Sequence, residues 1–449
     1  MPDVSWTARW VAAVLDATWT GPDRAFSAVS TDTRTMVPGA LFVALRGERF
    51  DGRAFLDAAR RAGAGAAVVE RGTAAVDDLP VIEVDDPRDA LGRLAHAWRR
   101  SLPAATAVVA VTGSNGKTTT KEMIAAVLRT RFRVHATRGN LNNQVGVPLT
   151  LLAAPTDAEA LVVEVAMNLP GEIARLTAIV GPDLAVITNV GPAHLEGLGT
   201  VERVLEEKLA IVPGAHLAVV GTEPAELGMR ARALAPAVTV AGLAPPADLM
   251  PERWVTGPDG RVTMSVSGVT VTLPVPGAHE AANAMLAVGV ADDLGVDRTA
   301  ALEALAAVEV PPGRMEFRKL GGFAILNDCY NANPASVRAA LAAFEPIRRG
   351  RRSVVVVGTM LELGPSSAEW HATVAREVAA TAPDVIAAVG EFAPAFEALG
   401  PALHSDLVVA PSATELAPLL ASRLEGDEAI LLKASRGVAL ERVLDHLAA

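Results

Sequence analysis

Apolar residues along this chain gather into short β-branched runs set between longer Ala- and Leu-rich stretches. The short runs are Leu41–Leu45, Ala66–Glu70, Val81–Val84, Val108–Val111, Leu161–Val165, Ala185–Val190, Ala324–Asn327, Val354–Val357, Val385–Val389 and Ala429–Leu432. Bounded by Gly, Pro and Asn, runs of this length read as buried strands. Helical spacing falls between them, over Asp89–Arg100, Lys121–Leu128, Val201–Val212, Ala335–Phe344 and Ala368–Ala380. Further helices start after Pro276 and at Gly437. Gly260–Leu273 reads as a hairpin turning at Ser267-Gly268. Strand alternating with helix predicts an α/β protein with mostly parallel sheets. Ser101-Leu-Pro103 and Val310-Pro-Pro-Gly313 read as linkers. They divide the chain into a small N-terminal α/β domain (1–103), a central P-loop-type domain on a mostly parallel sheet (104–311), and a Rossmann-like, doubly wound C-terminal domain (312–449).

The run Val108–Val111 breaks at Gly113, and helix formers resume near Lys121. Between them lies Thr112-Gly113-Ser114-Asn115-Gly116-Lys117-Thr118-Thr119. Strand, glycine loop and helix are the setting of a phosphate-binding loop, in which backbone N–H groups at a helix N-terminus face the anion. Lys117 would reach the terminal phosphates, and the Thr118 hydroxyl would sit on Mg²⁺. The first glycine of G-x-x-x-x-G-K-[ST] falls at Val111, so this is a shortened variant. A glycine turn that merely caps a helix is the plainer alternative, and the flanking strand and helix disfavour it. The chain reads as a nucleotide binder.

Other polar inserts also follow strands. Glu164 ends one run, and His194 lies in Gly191–Gly197 after another. Ligands collect at the carboxyl ends of parallel strands, so Lys117, Glu164 and His194 are expected to converge. Glu and His suit Mg²⁺ or Mn²⁺ beside a triphosphate. Gly139–Pro148 is too irregular for an element interior. From spacing alone, Glu206, Glu207 and Lys208 read as a solvated charged face. His279 and Asn283 share a helix face at i, i+4 and could contact a base or ribose, or simply cap and pack. The cluster Ser30, Thr31, Asp32 and Arg34 could bind a nucleotide-sugar or serve as turn capping. Asp328–Pro334, Met360–Gly364 and Lys433–Gly437 suggest a second half-site facing the nucleotide.

Composition narrows the classes. A net charge of −11 disfavours general affinity for nucleic acid or anionic membrane, while glycine loops and a few Arg can still bind an anionic substrate. The one cysteine, Cys329, excludes an intramolecular disulfide and a multi-cysteine zinc site, and reads as a small buried residue. Met1–Trp10 carries an acid and lacks an apolar h-region, and no apolar run approaches the roughly 20 residues of a membrane span. A cytoplasmic, monomeric protein is expected.

Three stretches together resemble the Mur ligase family of peptidoglycan synthesis: Thr112–Met123, Asn140–Pro148 and Asp328–Ser336. The resemblance extends over nearly the whole chain. The string Tyr330-Asn-Ala-Asn-Pro334 is similar to the branch that adds D-alanyl-D-alanine; the Asp-Tyr-Ala-His-Thr-Pro and Asn-Pro-Arg strings of the diamino-acid-adding branch are absent. Membership implies ATP-dependent amide formation between UDP-N-acetylmuramoyl-tripeptide and D-alanyl-D-alanine. It implies that Ser30, Thr31, Asp32, Arg34 and the Phe42–Phe55 region hold the uridine diphosphate end of the substrate. Asn140, Asn142, Asn143, Asn333, Lys433, Ser435 and Arg436 would also contact substrate. ATP would lie on Thr112–Thr119, His279, Asn283, Arg314, Asp328, Tyr330 and Asn331. Thr118, Glu164, His194 and Lys208 would serve Mg²⁺ or Mn²⁺, with Lys208 matching a lysine carbamylated in several members, and Lys117, His194 and Lys208 acting in catalysis. Ala166, Leu169, Thr359 and Ala434 depart from the family pattern. The rivals are a sister ligase adding a diamino acid or extending a polyglutamate tail, a non-catalytic nucleotide-binding regulator, and a motor-type ATPase. The motor is disfavoured because no strand carries a clear Walker B Asp. A carboxyl oxygen leaves poorly, so the reaction needs an acyl phosphate kept from water, and the C-terminal domain is expected to close about Val310–Gly313.

Overall fold

The structure, a computed structural model, describes residues 6–19, 22–47, 50–74 and 76–447. Of the readings above, residues 1–5 of the N-terminal segment and 48–49 within Phe42–Phe55 lie outside them. Among the described residues, β1 (Val29–Ser30), β2 (Leu41–Val43), β3 (Ala66–Glu70) and β4 (Val81–Val84) pair in sequence order as a parallel sheet.

The central sheet is wholly parallel. Its strands are β5 (Ala107–Thr112), β6 (Val134–Ala136), β7 (Ala160–Glu164), β8 (Leu184–Ile187), β9 (Leu217–Val220) and β10 (Ala237–Val240), in the order β10-β9-β8-β5-β7-β6. Helices cover both faces, which is why β5 is an unbroken apolar run rather than an alternating one. Val108 and Ala110 enter one core and Val109 and Val111 the other, as the two-residue repeat of a strand requires. The chain leaves β5 towards β6 and β7, then crosses to β8 on the other side. This reversal opens a crevice at the carboxyl end of β5, where ligands bind in such sheets.

The predicted hairpin is β12 (Arg261–Val266) and β13 (Val269–Pro276), joined by β11 (Arg253–Thr256). Ser267 and Gly268 both have positive φ, 52° and 79°, the backbone that a tight two-residue hairpin demands. In the last sheet, β14 (Glu316–Leu320), β15 (Phe323–Asp328), β16 (Ser353–Val357), β17 (Val385–Val389), β18 (Asp406–Ala410) and β19 (Ala429–Lys433) follow the order β14-β15-β19-β16-β17-β18. All are parallel except the edge strand β14. Among the described residues, no helix is long and apolar enough to cross a membrane.

Two local readings are corrected. Gly139–Pro148 does not stay irregular, because a helix begins at Gly146 and includes Pro148 in its first turn. Asn143 Oδ1 accepts the N–H groups of Val145 and Gly146 at 3.1 and 2.9 Å, and a proline in a first turn gives up only an N–H that has no helical partner. The final helix does not run from Gly437. Ala439 takes a left-handed backbone (φ 54°), so two short turns precede the helix Val443–Leu447. The edge strands β14 and β18 were not read from sequence, since their exposed residues blur the apolar pattern.

The helix Pro87–Ser101 joins the N-terminal sheet to the central domain. Its Trp98 is buried, stacks on Trp6 with ring centroids 4.3 Å apart, and donates from Nε1 to the Ala154 carbonyl at 3.1 Å. Trp98→Ala would empty that junction and orphan the carbonyl. It is expected to lower unfolding free energy by about 3–5 kcal/mol, read by urea titration followed by circular dichroism.

Candidate active site

The phosphate loop occupies the crevice at the end of β5. Gly113 has φ 151°, and a methyl there would come within 1.8 Å of Thr188 Oγ1. Gly116 has φ 76°, and its methyl would meet Asn283 Nδ2 at 2.7 Å. Both positions therefore require glycine, one for close approach to β8's loop and the other for a left-handed N-cap. Gly116 caps the helix Lys117–Leu128 with no side-chain hydrogen bond, and the first turn's N–H groups are left for an anion. Ser114 and Asn115 are pinned from the β8 side: Ser114 N–H donates to Asn189 O at 2.8 Å and Asn115 N–H to Asn189 Oδ1 at 3.0 Å.

A cavity of about 380 Å³ opens over this loop. Of the residues expected at a nucleotide or metal site, Ser114 to Thr119, Glu164, His194, His279, Asn283, Arg314, Asp328, Tyr330 and Asn331 line it, as do Asn142 and Lys433 from the substrate set. Thr112 and Gly113 do not line the cavity. Arg314 lays its guanidinium 3.8 Å from the Tyr330 ring centroid, and its buried Nε has no partner. An unpaired guanidinium N–H beside an aromatic face suits an anionic nucleotide. Asp328 and Lys433, register partners at the carboxyl ends of β15 and β19, pair at 2.6 Å. Lys117 Nζ folds back to donate to Gly113 O at 2.9 Å, and burial pulls its pKa below the usual lysine value.

The metal set assembles in part. Glu164 is buried and accepts Thr118 Oγ1–H at 2.9 Å and Asn142 Nδ2–H at 2.7 Å. His194 stands across the cavity with Nδ1 2.7 Å from Glu362 Oε2, the carboxylate lying off the ring N–H axis. Burial holds the His194 pKa below its ordinary value, which keeps an imidazole lone pair available. No three His, Cys, Asp or Glu among the described residues form a ready cage. Hydroxyl, carboxylate and imidazole are nonetheless suitable donors for Mg²⁺ or Mn²⁺, which commonly complete their shell with water and phosphate.

Lys208 does not belong to a solvated face. It is fully buried, and Nζ reaches Met167 Sδ at 3.6 Å. Burial, then the nearby Lys117 charge, pushes its pKa well below the normal lysine value. Glu207 is also engaged, its carboxylate accepting Gly171 N–H and Ile173 N–H at 2.9 Å each, while Glu206 is exposed as expected. The spacing reading failed because it could not know which helix face meets Met167.

The remaining substrate residues separate. Ser30, Thr31, Asp32, Asn140 and Asn143 line a second cavity of about 840 Å³ between the N-terminal and central domains. Arg34 lies outside that lining and pairs with Asp32 at 2.6 Å. Asn333 caps the helix Pro334–Ile347 and donates from Nδ2 to Asn115 Oδ1 at 2.7 Å, tying the C-terminal domain to the phosphate loop. Ser435 is buried outside the cavity lining and accepts Leu361 N–H; Arg436 is also outside it and pairs with Glu441. Cys329 is buried, and desolvation raises its thiol to about 12.

Sequence reasoning missed Glu280 and Glu362. Glu280 is buried against the cavity, accepts Asn283 Nδ2–H at 2.9 Å, and has its carboxyl pKa raised by burial. Glu362 sat in a flagged insert, but nothing in the chain pairs it with His194. Among the departures, Ala166 lines the cavity, Leu169 is exposed, Thr359 accepts Glu391 N–H at 3.0 Å, and Ala434 is fully buried. Gly113→Ala is expected to weaken ATP-analogue binding about 10- to 100-fold, the cost of a strained loop. Isothermal titration calorimetry would check it; unchanged affinity would mean that the loop does not hold the phosphates.

Residues 25–99 match the Mur ligase family catalytic domain, 111–291 the Mur ligase middle domain, and 313–436 the Mur ligase glutamate ligase domain. The chain is 35% identical to the UDP-N-acetylmuramoyl-tripeptide–D-alanyl-D-alanine ligase of Bacillus subtilis, covering 98% of each. A crystal structure of MurF from Acinetobacter baumannii superposes with a TM-score of 0.89 at 30% identity, covering 100% of both chains. MurF ligase from Thermotoga maritima, in complex with ADP, gives 0.82 at 31% identity, covering 94% of this chain and 97% of that one. On the full-length identity and the three consecutive domain matches, the chain belongs to the Mur ligase family.

Proposed function

We propose that this protein is an ATP-dependent ligase that joins D-alanyl-D-alanine to UDP-N-acetylmuramoyl-tripeptide in the cytoplasm, releasing ADP and phosphate. The observation that carries the reading is one cavity walled on one side by the phosphate loop and on the other by Asp328, Tyr330 and Lys433 of the C-terminal sheet. The full-length relatives named for this reaction support the choice of substrates. In this reading 1–103 holds the UDP end in the second cavity, 104–311 binds ATP, and 312–449 closes over both and receives the dipeptide.

The tripeptide's terminal carboxylate attacks the γ-phosphorus of ATP, forming an acyl phosphate and ADP. Lys117 and the helix N-terminus steady the phosphates as charge moves. Thr118, Glu164 and His194 would hold Mg²⁺, whose chemistry is to neutralise phosphate charge. The dipeptide's neutral amine then attacks the acyl carbon; the tetrahedral intermediate expels phosphate and the nitrogen loses its extra proton. Cationic side chains around the cavity, Lys433 and Arg314, favour the developing oxyanion. The Asn333–Asn115 contact ties the C-terminal domain to the phosphate loop, and enclosure between the two domains would keep water from the acyl phosphate.

Buried Lys208 fits this scheme as a carbamate. Its low pKa favours the neutral amine, which adds CO₂ with loss of a proton and becomes an anion whose charge His194 would feel. ¹³C-bicarbonate should give a carbamate resonance that Lys208→Ala lacks, and activity should fall in CO₂-depleted buffer and return with bicarbonate. For the reaction itself, phosphate release and a pentapeptide-mass product are expected with ATP, Mg²⁺, the UDP-tripeptide and D-alanyl-D-alanine. Turnover instead with a free diamino acid on the dipeptide precursor would assign the sister reaction. ATP binding without turnover on either would indicate a regulator.

A further inference from the structure

His194 and Glu362 meet across the domain boundary, and both are non-glycine residues in the left-handed region, at φ 55° and 65°. Such backbone persists only where its surroundings hold it, and it concentrates at working sites. Here the surroundings are specific. The loop after β16 is fixed by His371, whose buried Nε2 accepts Met360 N–H at 2.9 Å, while Nδ1 is 2.8 Å from the Ser367 carbonyl. Ser435 Oγ accepts Leu361 N–H at 3.0 Å. On the central side, Glu196 N–H donates to the Glu362 carbonyl at 3.2 Å, and a methyl on Gly364 would come within 3.0 Å of Glu196 Cα. Two C-terminal-domain side chains thus clamp the backbone on the N-terminal side of Glu362, and the central domain seats its carbonyl. The carboxylate oxygen Oε2 stands 2.7 Å from His194 Nδ1, off the ring N–H axis.

We propose that Glu362 is a positioning residue that occupies Nδ1 of His194 and leaves Nε2 for the metal, so that the metal site is completed only when the C-terminal domain docks. This rests on the metal reading given above. Carboxylates behind ligand histidines fix the ring and its tautomer, and their loss commonly weakens metal binding about 10- to 100-fold. Here the carboxylate belongs to the C-terminal domain and the imidazole to the central one, which would link docking of the C-terminal domain to metal retention without either domain contributing a new ligand.

The test uses the full-length protein with Mn²⁺, a non-hydrolysable ATP analogue and the UDP-tripeptide, following bound Mn²⁺ by electron paramagnetic resonance and compaction by small-angle scattering. Glu362→Ala is expected to weaken Mn²⁺ retention about ten-fold or more while the ternary complex still compacts. It should lower kcat more than it raises the KM for ATP. Glu362→Gln, which keeps an amide oxygen near the ring, should fall between Glu362→Ala and the wild type, and it decides the matter if the alanine variant does not fold. Equal Mn²⁺ affinity in wild type and variants would overturn the proposal. Loss of compaction together with Mn²⁺ would also overturn it, making Glu362 a tether. Absence of Mn²⁺ binding in the wild type would remove the metal reading and the proposal together. Mn²⁺ binding that depends on Glu362, without ligase turnover, would leave the proposal standing and remove the functional reading.

Discussion

Everything in the active site depends on how little room there is behind the phosphate loop. Gly113 is pressed against Thr188 and Gly116 against the amide of Asn283. Because neither contact leaves space for a side chain, the loop is held at fixed distances from β8 and from the helix Ala278–Asp293. Residues that follow β8 and residues of that helix both line the cavity, so the loop registers them to each other. Glu280 extends the arrangement by accepting from Asn283. Burial raises the Glu280 carboxyl pKa, because a charge is poorly solvated in this tight junction.

The second organising feature is that the site is shared between domains. Asn333 reaches the phosphate loop, Glu362 reaches His194, and Arg314 and Tyr330 form an aromatic-cation wall over the cavity. Each is supplied by the chain beyond the Val310–Gly313 linker, whereas the phosphate loop, Glu164 and Lys208 precede it. A ligase passing through a hydrolysable acyl phosphate benefits from this division, because the enclosing wall and the catalytic loop assemble together.

Much of this was legible along the chain. β5 and its loop could be read because a strand buried on both faces is a continuous β-branched run, and the glycines that follow have no other common use with Lys117-Thr118. Glu164, His194, Asp328 and Lys433 were legible for a related reason: parallel strands place their following residues on one edge. Lys208 was misread from spacing. A helix that carries Glu206, Glu207 and Lys208 in succession looks solvated, yet adjacent residues point about 100° apart, so one faces solvent while another faces the core. Only the resemblance flagged it. The helix starting at Gly146 and the break at Ala439 were missed because an Asn143 side-chain turn ahead of the helix in one case, and a left-handed residue without glycine in the other, override the local pattern.

The sequence by itself determined the layers, the strand-and-helix alternation, the phosphate loop and the family. These follow from local patterns, periodicity and glycine placement, which need no partner from elsewhere in the chain. Tertiary structure alone decided that Ser435 is buried against the loop after β16. It also decided that Asn140 and Asn143 line one cavity while Asn142 lines the other, and that Glu362 stands behind His194. Those outcomes depend on which surfaces meet across separations such as the 74 positions from Leu361 to Ser435, or the 22 from Asn142 to Glu164. Local spacing carries no information at such separations; the packing of whole sheets against each other supplies it.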